Sequence, residues 1–105
     1  MIFVLATDDW GLEVFPTKEE AIAACEGIDV EEGNYLFWDN DGSSLEARFS
    51  TPNKHGSFTV VSGVYDLLPE DNGDPLVSVL SKAKYLEANS WFSSVEAVRR
   101  HLTST

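Results

Sequence analysis

The segment at residues 2–6, Ile-Phe-Val-Leu-Ala, is apolar at every position and constrains the fold more than any other feature of the chain. A strand with one wet face alternates apolar and polar residues, whereas a strand covered on both faces is a continuous apolar run. We therefore predict a doubly covered strand at residues 2–6. With 105 residues, the chain is long enough for one domain and too short for two.

Four more segments have the composition of strands, and turn residues separate them. Residues 12–15 follow a turn at 8–11 and are the predicted hairpin partner of residues 2–6. Aspartate, asparagine and glycine tolerate positive φ, so residues 39–42 are predicted to form a second turn. The later segments predict an antiparallel meander over residues 35–38, 45–49 and 57–66.

A change of hydrophobic period and three start signals predict the helices. Thr17 and Glu20 form a capping box, which begins a helix over residues 17–26 that Gly27 ends. Two further helices follow the meander. The first is predicted over residues 75–85, with Asp74 as N-cap and Pro75 in the first turn, and the second over residues 93–102, behind the capping box Ser93-Ser94-Val95-Glu96.

The element order β-β-α-β-β-β-α-α predicts an α+β domain. We expect an antiparallel or mixed sheet of about five strands, with the helices packed on one face. The residues expected to be largely buried are Leu5, Ile22, Leu36, Phe49, Val60, Leu80 and Val98.

No residues have the spacing of a catalytic or metal site. His55 and His101 have no ligating partner at metal-site spacing, and Cys25 is predicted to be a small core residue. The turn at 39–42 lacks the glycine and glutamate positions of a calcium loop. The sequence therefore predicts no enzyme activity, no cofactor and no metal. Residues 1–9 lack a basic signal-peptide region and no stretch approaches ~20 apolar residues, so we expect a cytoplasmic protein without a membrane partner.

Acidic residues outnumber basic ones by eighteen to seven, and the net charge is −11. Residues 1–53 contain twelve acids and two bases, whereas residues 54–105 contain six acids and five bases. Such a charge disfavours nucleic acid or an anionic membrane as a direct ligand and favours a basic protein partner. Solubility is the alternative explanation of the surplus.

Tryptophan beside carboxylates in turns is typical of a protein-binding hot spot with a charged rim. Trp10 follows two aspartates, and we expect its ring to be exposed. Trp38 ends an apolar strand and is expected in the core, and Trp91 and Phe92 are expected to staple the last helix to the sheet. The predicted partner-binding residues lie in three turns and are Asp8, Asp9, Trp10, Asp29, Glu31, Glu32, Asp39 and Asp41.

A small acidic α+β chain without catalytic groups resembles the immunity proteins of bacterial toxin–immunity pairs, including contact-dependent growth inhibition and colicin-type systems. The resemblance rests on size, on the missing active site, and on the acidic first half with Asp8-Asp9, Glu31-Glu32 and Asp39-Asn40-Asp41. It implies tight binding to the basic toxin domain of a secreted effector, often a nuclease, and a blocked toxin active site.

Two other classes of function remain open from the sequence. A DNA mimic or anti-restriction inhibitor would present carboxylates at near-phosphate spacing along a whole face. A small ligand-binding domain or enzyme would assemble a dispersed site from Tyr35, Arg48, His55 and Tyr65, with Arg48 on a wet strand face as its central residue.

Overall fold

β1, Ile2–Ala6, lies fourth in a mixed six-stranded sheet and is buried on both faces. The computed structural model describes residues 1–56 and 60–104. Its strands are β1 (Ile2–Ala6), β2 (Gly11–Phe15), β3 (Tyr35–Trp38), β4 (Ser44–Thr51), β5 (Lys54–His55), β6 (Val60–Val61), β7 (Val64–Pro69) and β8 (Tyr85–Leu86). Its helices are α1 (Lys18–Ala24), α2 (Gly27–Glu31), α3 (Leu76–Val79), continued by a 3₁₀ turn at Leu80–Lys82, and α4 (Val95–Thr103).

The sheet order is β7-β4-β3-β1-β2-β8, and this confirms the predicted α+β fold. All neighbours are antiparallel except β2 and β8, which run parallel. The predicted meander is present in part: β3 and β4 match its first two strands, but the strand predicted at 57–66 is divided between β6 and β7, and of these β7 pairs with β4. A two-stranded ribbon of β5 and β6 interrupts it between β4 and β7. The start of the predicted fifth strand, residues 57–59, lies outside the described residues.

The apolar run in β1 is explained by two cores, one on each face of the sheet. Ile2 and Val4 face α1, where Ala21 and Cys25 pack against them. Phe3 and Leu5 face the opposite way. Their partners there come from the C-terminal elements and include Leu76, Leu80 and Val98. The prediction that the helices pack on one face is therefore wrong, because a strand that is apolar on both sides needs a cover on each.

The first predicted helix is present as α1, with Cys25 as its C-cap, and a short helix that was not predicted, α2, follows it. Thr17 is the N-cap as predicted, since its hydroxyl accepts a hydrogen bond from the Glu20 amide at 3.2 Å. Gly27 does not end this helix; it is the first residue of α2. A Cβ at Gly27 would approach Asn53 Oδ1 at 2.7 Å, so glycine permits the close contact between α2 and the segment before β5.

The predicted helix at 75–85 is only partly α-helical. α3 has four residues, the 3₁₀ turn follows, and β8 pairs with β2. The N-cap of α3 is Pro75 rather than Asp74. The Asp74 carbonyl accepts a hydrogen bond from the Trp38 indole N–H at 2.8 Å. The N-cap of the last helix is Ser94, one residue later than predicted. Its hydroxyl accepts a hydrogen bond from the Ala97 amide at 3.1 Å.

Three of the predicted core residues, Leu5, Leu80 and Val98, are completely buried. Ile22 and Phe49 are half-buried against the core below α1. The expectation is wrong for two others: Leu36 is 42% exposed, and Val60, in the β5–β6 ribbon, is 57% exposed. No helix among residues 1–56 and 60–104 is long and apolar enough to cross a membrane.

Candidate functional site

The strand register divides the predicted acidic residues between opposite ends of the sheet. β1 and β3 are antiparallel, with Ala6 opposite Tyr35 and Phe3 opposite Trp38. The loop after β1 therefore meets the loop before β3, and the turn after β3 lies at the far end. The two ends are at least the length of β3 apart, about 13 Å for its four residues.

We name the first of these the α2 end, and it contains Asp8, Asp9, Asp29, Glu31 and Glu32. Thr7 joins its two loops, since its amide donates to the Asn34 carbonyl and its hydroxyl donates to the Gly33 carbonyl, both at 2.9 Å. Burial raises the pKa of the Tyr35 phenol, and the charges of Cys25, Asp29 and Asp8 raise it further. Asp8 and Asp29 thus act on one phenol although 21 positions separate them in sequence.

Asp9 has a structural role at the α2 end. Its carboxylate accepts hydrogen bonds from the Gly11 amide at 3.0 Å and from the Tyr85 hydroxyl at 2.5 Å. The Tyr85 hydrogen bond, followed by that of Gly11, lowers the pKa of Asp9. The same bond raises the pKa of Tyr85 to about 12. Asp9 therefore fixes the turn before β2 onto β8.

Trp10 is not the exposed anchor that the sequence predicts. Its ring packs against the core formed with α3 and α4, and Lys82 Nζ lies 5.6 Å from the ring centroid. Its backbone has a φ of +60°, and its carbonyl accepts the Lys84 amide at 2.8 Å. The predicted staple is confirmed for Phe92, whose ring centroid lies 5.8 Å from that of Phe3, and is wrong for Trp91, which is 45% exposed.

Glu31 connects α2 to the β5–β6 ribbon through a residue that the sequence analysis missed. Asn53 donates to Glu31 Oε2 at 2.6 Å and to the Gly27 carbonyl at 3.0 Å, and its Oδ1 accepts the Gly63 amide. His55 Nε2 lies 3.4 Å from Glu31 Oε1. The Asn53 hydrogen bond, assisted by His55, lowers the pKa of Glu31. In the sequence, the one signal of this linking role is that Asn53 lies in the polar segment Pro-Asn-Lys-His-Gly at residues 52–56.

Asp39 and Asp41 lie at the opposite end of the sheet, in the turn between β3 and β4. The Asp39 Oδ1 accepts the amides of Asp41 and Ser43 at 2.9 and 3.0 Å, so Asp39 shapes the turn. The carboxylate is thus engaged by backbone donors, as in a hairpin turn with local side-chain bonding. Asp41 is exposed in the same turn.

Residues 70–74 join Asp39 and Asp41 at this end, which the division of charge along the sequence did not predict. β7 runs antiparallel to β4 and brings Pro69 opposite Leu45. The Glu70 amide then donates to the Ser44 carbonyl at 3.0 Å, and the Ser44 hydroxyl donates to Glu70 Oε2 at 2.7 Å. We name this the hollow end, and its acidic residues are Asp39, Asp41, Glu70, Asp71 and Asp74.

The hollow itself is a cavity of about 300 Å³ between the start of β4, the loop at 70–74 and α3. Its apolar lining includes Leu36, Trp38 and Val79, and its acidic lining residues are Glu70 and Asp74. The exposure of Leu36 is explained by its position at this opening. No lysine or arginine is among the lining residues that the structure describes.

The dispersed site proposed around Arg48 is not brought together. Arg48 lies opposite Asp66, and its neighbour Phe49 lies opposite Tyr65, so Arg48 and Tyr65 project from opposite faces. Arg48 Nη2 contacts Glu46 at 2.7 Å on the wet face. Tyr65 is buried and donates to the Cys25 carbonyl at 2.6 Å. Burial raises the pKa of the Cys25 thiol to about 12, so the thiol is protonated at neutral pH.

Comparisons of the chain with protein-family models, with curated proteins and with solved structures each found no match.

Proposed function

We propose that this chain is a non-enzymatic binding protein, an immunity protein that neutralises the basic toxin domain of a cognate effector. The observation that supports this is the combination, at the hollow end, of a cavity with a mixed apolar and polar lining and five acidic residues drawn from two distant loops. Protein interfaces have an apolar centre and a polar rim. The negative rim selects a positively charged partner.

A nuclease toxin has a positively charged surface, which complements the acidic residues of the hollow end. An enzyme that holds nucleic-acid phosphates presents lysine and arginine around its active site. An acidic inhibitor docked on those residues would block the phosphate path and would associate rapidly through electrostatic steering. A standard interface covers about 800 Å² of each partner. The chain exposes 6364 Å², so one such interface occupies about an eighth of its surface.

The test begins with the neighbouring gene, which should encode a secreted effector ending in a basic domain. Binding kinetics of that domain with the wild-type chain should show fast association that slows as ionic strength rises, because salt screens exposed charges. Co-expression with the chain should restore growth to cells that produce the toxin domain. Absence of a complex at micromolar concentration would overturn the proposal.

Two charge-matched variants identify the contacting end. Asp41→Lys with Asp71→Lys reverses two exposed acidic residues at the hollow end, and Asp29→Lys with Glu32→Lys reverses one half-buried and one exposed acidic residue at the α2 end. Both variants should slow association, since both change the net charge equally. Only the first should also speed dissociation, by roughly tenfold or more, because residues in the contact act mainly on that rate. Equal dissociation rates would exclude the hollow end as the interface.

A further inference from the structure

We infer that the hollow binds the side chain of an arginine presented by the partner. This inference rests on the proposed function and names the chemistry of one contact within it. The lining combines apolar residues, including Leu36 and Val79, with the acidic residues Glu70 and Asp74. Arginine has the matching structure, an aliphatic stem that packs on apolar surface and a planar cation that carries five donors.

The acidic residues around the hollow favour a positively charged ligand. Glu70 and Asp74 line it, and Asp71 lies between them in the same loop. A bound carboxylate or phosphate would be repelled, and a purely apolar group would remove water from the carboxylates without replacing its hydrogen bonds. A guanidinium satisfies carboxylate oxygens with paired N–H donors, which a lysine ammonium does less well.

The loop that forms the hollow is held in place before any partner binds. The Trp38 indole donates to the Asp74 carbonyl at 2.8 Å, and the Leu76 amide donates to the Gly42 carbonyl at 2.9 Å. A Cβ at Gly73 would collide with Ser44 Oγ, so the loop approaches β4 as closely as glycine allows. A pre-formed site loses little conformational entropy on binding, and hot-spot arginines are typically found in such pockets.

The test uses arginine amide as the probe and the two-dimensional amide and methyl NMR spectra of the full chain as the readout. Arginine amide should produce saturable shifts at the Trp38 indole N–H and the Leu36 methyl groups, in the millimolar range. Citrulline amide, which keeps the shape but has no charge, should bind about tenfold more weakly, the effect of losing a charge-assisted hydrogen bond. Equal binding of the two amides, or shifts that do not saturate, would overturn the inference.

Variants locate the probe in the hollow. Glu70→Gln and Asp74→Asn keep the shape of the lining and should each weaken arginine amide by about tenfold. Glu32→Gln, at an exposed residue of the α2 end, is the matched control and should bind like the wild type. Far-ultraviolet circular dichroism shows whether each variant is folded. Leu36→Ser tests the apolar part of the lining in the same way and should leave the fold intact, since the Leu36 side chain is already 42% exposed.

The same variants separate this inference from the immunity function. If arginine amide binds the hollow but no basic effector domain binds the chain, the immunity function fails and the arginine site stands. If the effector domain binds wild type, Glu70→Gln and Asp74→Asn equally, the immunity function stands and the arginine inference is overturned. Loss of effector binding in both variants, while Glu32→Gln keeps the wild-type dissociation rate, supports the two together.

Discussion

Aspartates that look alike in the sequence have different roles in the structure, because some of them hold a turn through hydrogen bonds and others are exposed. Asp9 is hydrogen-bonded to the Gly11 amide and the Tyr85 hydroxyl, and Asp39 to two amides of its own turn. Asp41 is simply exposed. A turn with many aspartates was predictable, but which of them folds the turn depends on neighbours such as Tyr85, which is 76 positions from Asp9. The exposure of Trp10 was mispredicted for the same reason.

The pH dependence of stability tests the role of Asp9. Folding lowers its pKa, so the ionised carboxylate contributes stability that is complete above the unfolded pKa of about 3.9 and is lost as pH falls through the folded-state pKa. The Tm of Asp9→Asn should therefore lie below that of the wild type near neutral pH, with a gap that narrows below about pH 4. Asp71→Asn controls for the loss of one charge. A gap that stays constant down to about pH 2.5 would contradict this assignment.

Elements whose signals are local were predicted well, and those that depend on distant partners were not. The bounds of β1 and β3 and the N-cap of α1 agree with the prediction. The segment after Pro75 has helical periodicity, yet only Leu76–Val79 is α-helical and Tyr85–Leu86 pairs with β2 instead. Backbone pairing to an open sheet edge outweighed propensity there, and no property of residues 75–86 alone indicates that this edge is available.

The N-terminus of α4 offers a matched test of a local signal. Ser93 and Ser94 are neighbours, but only the Ser94 hydroxyl accepts the Ala97 amide. Ser94→Ala should reduce the free energy of unfolding by about 1 kcal/mol, because a helix amide loses its cap. In a domain of this size that lowers Tm by roughly 4–8 °C. Ser93→Ala should change Tm little. Equal losses of Tm in the two variants would contradict the assignment of the cap to Ser94.

At the scale of the whole molecule, charge is arranged by the sheet and not by the order of the sequence. Asp71 belongs to the less acidic half of the chain, yet the pairing of β7 with β4 places its loop beside the turn of Asp41. The sequence therefore predicted an acidic binding surface but assigned it mainly to loops at the α2 end. The hollow was not predictable, because its lining comes from four segments, and three of these are brought together only by the register of β3, β4 and β7.

The two acidic ends should contribute separately to the effect of salt on stability. Repulsion within each end destabilises the fold, and raising ionic strength from about 10 to 150 mM shortens the Debye length from about 30 to 8 Å. Tm should therefore rise with salt. The ends are at least ~13 Å apart. Each double reversal, at Asp41 and Asp71 or at Asp29 and Glu32, should thus reduce this rise.

Combining the four reversals distinguishes separate ends from a single charged surface. At about 150 mM salt the changes in Tm from the two double reversals should add, because sites further apart than the Debye length are independent. At about 10 mM they should become coupled, since the screening length then exceeds the distance between the ends. A Tm that falls with salt, or coupling of equal size at both ionic strengths, would contradict an arrangement in which two separate groups of like charges oppose folding.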